Sequence, residues 1–306
     1  MAQYVEAIRP RESRPAAEVG HRRGRTPARD VLRHLSRNPV AIGGMSILGS
    51  LVLIAILAPS IAPYSPTAQT LGARLAPPSL AHPMGMDALG RDVLSRVIYG
   101  TRVSLFIGFS TVGSAVLIGT IVGAFAGYLG GRLDNLLMRL MDIMLAFPSL
   151  LLAIAVVAIL GPGLINALYA ISFVTIPVYA RIVRASVLSV KEHEYVTAAR
   201  AIGVPSGSIL LRTVLPNAAT PLIVQATLGI ASAILEAAGL SFIGLGALPP
   251  TPEWGLMLAQ HRNLVFTAPH TVFFPGLAIM LTVLGFNLLG DGLRDALDPR
   301  LRSSGR

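Results

Sequence analysis

The chain has 306 residues, 53% of them hydrophobic and 13% charged, with a mean hydropathy of +0.66; these values indicate a polytopic membrane protein and exclude an ordinary soluble domain. A net charge of +10 would suit a nucleic-acid binder, but the charges sit in tails and loops rather than over a folded surface. There is no cysteine, hence no disulfide, thiol nucleophile or cysteine metal site, and the single lysine, Lys191, follows Leu188-Ser189-Val190, which excludes a Gly-x-x-x-x-Gly-Lys-Ser/Thr phosphate loop.

Residues 1–39 are polar, with nine arginines from Arg9 to Arg37 and no apolar core of a signal peptide in the first thirty. Composition predicts a disordered cytoplasmic tail over 1–26. Thr26 can cap, Pro27 suits a first helical position, and Val31, Leu32 and Leu35 share one face, so 27–39 is expected to lie on the membrane surface as an amphipathic helix. A nucleic-acid-binding arm is the competing reading, and the absence of interleaved aromatic residues argues against it.

The first span is expected over 40–62, long enough for a hydrocarbon core about 30 Å thick. The loop 63–101 carries the run from His82 to Asp92 and, after it, Val93, Leu94, Val97 and Ile98 at helical spacing, read as a second interfacial helix. One histidine with Asp87 and Asp92 offers too few ligands for a metal site. The second span covers 104–128, with Gly119, Gly123 and Gly127 four apart, a spacing that lets helix backbones approach in lipid. The third, 137–160, contains Pro148 as a kink, and Arg139 and Asp142 are expected to pair at its start. The fourth, 164–179, is short and runs into Arg181 and Arg184. The fifth, 221–245, contains Glu236, and the sixth has its core at 275–289. Trp254, in the loop 246–270, is expected to anchor at the membrane interface.

The polar interval 185–219 between the fourth and fifth spans reads as helix, turn, helix. Ala198, Ala199 and Ala201 leave a smooth helical face, and Gly203 with Pro205 turns the chain. With both termini in the cytoplasm, six spans place twenty basic residues inside and five (Arg74, Arg91, Arg96, Arg102, Arg262) outside, a positive-inside distribution. The interval is therefore a cytoplasmic knob.

This knob resembles the coupling motif of permease subunits of binding-protein-dependent ABC importers: Glu-Ala-Ala, three residues, Gly, nine residues, Ile, one residue, Leu-Pro. Ala198-Ala199, Gly203 and Leu215-Pro216 match its spacing, whereas Thr197 stands in place of the Glu and Thr213 in place of the Ile. The segments 82–100, 236–246 and 275–300 resemble the peptide and nickel importer subfamily, in particular its DppC and OppC type of permease, so that the likeness covers roughly 27–302. The resemblance implies an all-α, six-span, type I importer (MetI-like) permease fold in the inner membrane over 40–302, with 303–306 a short tail. It further implies a sister permease, two cytoplasmic ATPases that bind ATP and magnesium, an extracytoplasmic solute-binding protein and alternating access. This chain itself would bind no cofactor or metal, and its partners would be those proteins and lipid rather than nucleic acid. Thr197, Ala198, Ala199, Arg200, Gly203, Leu215 and Pro216 are the expected ATPase-coupling residues, with di- and oligopeptides the expected substrates and nickel or another small solute the alternative.

Glu236 has two readings, a residue lining the translocation path or a carboxylate pinning a helix within the bundle. A secondary transporter would need inverted repeats or broken helices with midplane charges, and a membrane enzyme a nucleophile and base at usable spacing; neither pattern stands out.

Overall fold

The computed structural model describes residues 34–297, so the arginine-rich tail, most of the expected interfacial helix and residues 298–306 lie outside the described residues. His34 and Leu35 are helical, and a turn leads to Asn38. The Asn38 side chain accepts the Val40 and Ala41 amides, and Pro39 needs no partner, so helix α1 (Pro39–Ile61) starts there. Its apolar residues run all round the helix, and only 11% of its most hydrophobic window is buried by protein; the rest is free for lipid or another subunit.

Helix α2 (Val93–Leu129) is capped by Asp92, whose carboxylate accepts the Ser95 amide at 2.7 Å. It continues unbroken through the expected interfacial helix, which is therefore simply its first turns. At 37 residues it is about 55 Å long, so it projects beyond a hydrocarbon core of about 30 Å. Gly130, at φ 67°, ends it.

The expected third span is two helices, α3 (Gly131–Leu145) and α4 (Ser149–Leu160), bent by 92°. Pro148 has no amide to donate and disfavours helical backbone at Phe147, so the chain breaks rather than kinks. Helix α5 (Leu164–Val190) runs eleven residues beyond the expected end at 179. The knob follows as α6 (Glu194–Ala201) and α7 (Ser206–Ile209), and a π-turn over Leu210–Val214 leads into α8 (Leu215–Phe242). The polar interval is thus shorter than 185–219, because both flanking spans extend into it. Helices α9 (Trp254–His261) and α10 (His270–Leu297) complete the fold. Among the described residues, five helices are long and apolar enough to span a membrane, six spans if the bent pair is one. Among the described residues there is no strand, only an isolated bridge between Met86 and Asp92.

Helix α2 packs along α5 through the glycine stripe: a Cβ at Gly119 would lie 2.7 Å from Tyr179 Cβ, at Gly123 2.9 Å from Val183 Cβ, and at Gly127 2.9 Å from the Arg184 carbonyl. Helix α1 meets α10 in the same manner, Gly44 against Leu289 and Gly285. The central core joins Ile107 and Ala115 of α2, Ile171 and Ala180 of α5, and Ile234 of α8.

At the outer end, loop 62–92 folds on carboxylates. Asp87 accepts the Leu89 and Arg91 amides and the Arg91 Nε (2.6 Å), and Arg91 reaches Gln260 of α9. Asp92 pairs with His82 (2.9 Å), whose ring stacks near Tyr64. Trp254 is not an interface anchor. It is fully buried, its indole N–H donates to the Val97 carbonyl at 3.1 Å, and Gly100 leaves room for its ring. Glu253, also buried, caps α9 by accepting the Gly255 and Leu256 amides; desolvation raises its pKa despite those bonds.

Candidate functional site

Two regions could carry function: the knob at the inner end and a cavity within the bundle that is mainly apolar but carries several polar side chains. The knob is seated by Val196, Ile209 and Val214, all wholly buried against Val183, Val187 and Val190 of α5 and Ala124 of α2. Helix α6 ends in a Schellman turn. The Gly203 amide donates to the Arg200 carbonyl at 3.0 Å, the Val204 amide to the Ala199 carbonyl at 3.1 Å, and Gly203 takes φ +81°. Ala199 and Val204, which this turn brings together, are half-buried against the seating cluster. Thr197, Ala198, Ala201, Ile202 and Gly203 remain exposed, Ile202 to 81%.

The structure therefore divides the expected coupling residues. Thr197, Ala198 and Gly203 face outward, joined by Ile202, which sequence reading did not select. Ala199 turns inward. Arg200 lies with its guanidinium 5.8 Å from the centre of the Tyr128 ring at the end of α2, a cation–π arrangement, and Lys191 Nζ donates to the Gly127 carbonyl at 2.9 Å. Leu215 packs against the seating cluster and Pro216 is exposed in the first turn of α8.

Behind the knob, Asp134 of α3 accepts both Arg184 Nε (2.5 Å) and Nη2 (2.7 Å). Asp142 pairs with Arg181 of α5 rather than with Arg139. Both bonds tie the cytoplasmic half of the broken span to α5, and both partners lie too far apart in sequence for helical spacing to reveal them.

The cavity, about 210 Å³, lies between the α3–α4 break, α5 and α8. Gln225, Gly229, Ser232 and Glu236, at spacings of four, three and four on α8, line one wall, and Thr175 and Tyr179 of α5 line another. Ser149, the first residue of α4, donates its hydroxyl to Glu236 Oε1 at 3.3 Å, and it stands at the amino-terminal, positive end of the α4 backbone dipole. Glu236 Oε2 is shielded from solvent and accepts no hydrogen bond from the described residues. The spacing on α8 is legible in the sequence as a polar stripe in an apolar helix. The contribution of Ser149 was not, because it depends on the 92° bend.

Comparison with known proteins gives the same family along most of the chain. Residues 119–303 match the profile of the binding-protein-dependent transport system inner membrane component, and residues 26–78 that of the N-terminal TM domain of oligopeptide transport permease C. The chain is 51% identical to the dipeptide transport system permease protein DppC of Alkalihalophilus pseudofirmus, over 91% of both chains. It is 49% identical to the di/tripeptide transport system permease protein DppC of Pseudomonas aeruginosa, over 91% of this chain and 94% of that one. A chain in an inward-facing crystal form of the MetNI methionine ABC transporter superposes with a TM-score of 0.53 at 20% identity, over 69% of this chain and 96% of that one, a likeness of fold alone.

Proposed function

The chain belongs to the family of inner membrane components of binding-protein-dependent transport systems, and from that premise we propose that it is the permease subunit of an ATP-driven importer of di- and oligopeptides. The observation that carries this reading is the knob, a rigidly seated cytoplasmic surface of small residues on a chain without a phosphate loop. A partner ATPase would supply the energy, binding ATP and magnesium. A sister permease would complete the path, and an external binding protein would deliver the peptide.

In this reading, Thr197, Ala198, Ile202 and Gly203 enter a groove on one ATPase, while Ala199 and Leu215 hold the knob against the bundle and Pro216 shapes the first turn of α8. Arg200 and Lys191 fasten it to the end of α2, so that displacement of the knob is passed to α2 and α5 as a unit. Closure of the ATPase pair would rock the spans between inward- and outward-open states. The α8 stripe from Gln225 to Glu236 lines the path. The hydrogen bond from Ser149 also makes Glu236 a tie between α4 and α8, so the two earlier readings of this residue are compatible.

The test is ATPase activity of the assembled complex with its binding protein, stimulated by dipeptides, oligopeptides or Ni²⁺ in turn. Stimulation by peptide supports the proposal. Stimulation by Ni²⁺ alone assigns a metal importer, and transport by this chain reconstituted without an ATPase removes the coupling role.

A further inference from the structure

Glu236 stands in a setting with few partners from the protein. Its carboxylate has one weak donor, the Ser149 hydroxyl at 3.3 Å, and its second oxygen has none among the described residues although it is shielded from solvent. The cavity it faces is lined by no arginine, lysine or histidine. A carboxylate at membrane depth is retained where it meets a partner or a function, and the α4 dipole only partly balances it.

Resting on the peptide-import reading above, we propose that Glu236 is the subsite that receives the ammonium group at the amino terminus of the transported peptide. An ammonium offers three donors. One suits Glu236 Oε2, and the hydroxyl of Tyr179, on the wall of the same cavity, offers a further acceptor. Phe147 and Val178 supply apolar surface for the first side chain. A divalent metal is a poorer occupant, since the described residues bring no three His, Cys, Asp or Glu together and one carboxylate is a sparse ligand set.

The experiment uses the assembled complex in nanodiscs without binding protein, with radiolabelled dialanine as probe and N-propionylalanine, the same molecule lacking the ammonium, as comparison. Dialanine is expected to displace the probe at least ~10-fold better than N-propionylalanine, as a charge-assisted hydrogen bond allows, and Glu236→Gln to bring the two to near equality. A Glu236→Gln complex that keeps the preference overturns the inference. A second measurement needs no variant: dicyclohexylcarbodiimide labelling of Glu236, read by peptide mass spectrometry, should be slowed by dialanine and not by N-propionylalanine. Equal labelling overturns the subsite, and protection by N-acetyllysine as strong as that by dialanine overturns its assignment to the amino terminus. Absence of dialanine-stimulated ATPase in the wild-type complex with binding protein would instead overturn peptide import itself. Stimulation with unprotected Glu236 would leave import standing and remove only the subsite.

Discussion

The Asp134 carboxylate accepts both Nε and Nη2 of Arg184, at 2.5 and 2.7 Å, and so fastens the start of α3 to the last turns of α5. A planar guanidinium can make this fork and an ammonium cannot. Arg184→Lys is therefore expected to keep the charge yet lower the stability of the complex by about 1 kcal/mol, because the pair is partly exposed. Thermal unfolding in detergent measures it, and an unchanged midpoint would show that the fork is not needed.

The knob predicts a split between neighbours. Ala198→Asp, on the exposed face, and Gly203→Asp, at a left-handed backbone position, should leave the protein inserted while reducing peptide-stimulated ATPase at least ~10-fold. Ala199→Asp places a carboxylate against Val204 and the seating cluster, so it should also lower the yield of assembled complex. Equal assembly for all three would show that Ala199 does not turn inward.

Asp87 is 1% exposed and Arg91 2%. Asp87→Asn leaves buried guanidinium without its counter-charge and is expected to destabilise the outer end by about 3–5 kcal/mol. Proteolysis of the outer loops in spheroplasts would register the loss as faster cleavage within 63–92.

Helices α2 and α5 are in backbone contact at Gly123. Gly123→Ala would push a Cβ to 2.9 Å from Val183 Cβ, an overpacking expected to cost about 1–3 kcal/mol. The same change at Gly113, which has nothing within 4 Å, is the control and should not lower the melting temperature, since alanine favours a helix interior over glycine.

His261 predicts a dependence on acid. The ring is buried, its Nδ1 donates to the Met257 carbonyl at 2.7 Å, and its Nε2 accepts the Ala88 amide. Burial lowers its pKa, and Arg91 and Arg96 nearby add to the effect while the Met257 carbonyl and Asp87 oppose it. The unfolded chain binds the proton near the ordinary value of about 6.5, before the folded chain does. Stability from this group is thus complete above that pH and is lost as pH falls toward the folded value. Glu253, with a raised pKa, acts oppositely, its contribution falling as pH rises from about 4.3. Melting at pH 7.5 and 5.5 isolates the His261 contribution: acidification should destabilise the wild type more than His261→Gln.

Much of this architecture was legible because it depends on neighbours in sequence. Apolar runs, the arginine distribution, the glycine stripe and the turn at Gly203 are local properties, and each has a direct reading in hydropathy, charge or backbone sterics. Helix ends were less legible, since α5 and α8 extend beyond their apolar cores into polar sequence that periodicity alone assigns to the loop. Pro148 was visible, but whether it kinks or breaks a helix depends on what packs against both halves.

The sequence by itself thus determined a multi-pass helical protein with a cytoplasmic knob and no phosphate loop. Only the tertiary structure decided who meets whom: Asp142 with Arg181 rather than Arg139, Trp254 inside the outer cap rather than at the lipid interface, Ala199 inward and Ile202 outward, Ser149 against Glu236. The reason is geometric. Hydropathy and turn propensity act along the chain, whereas these pairings depend on the rotation and axial register of each helix against its neighbours, and those are set by packing across the whole bundle.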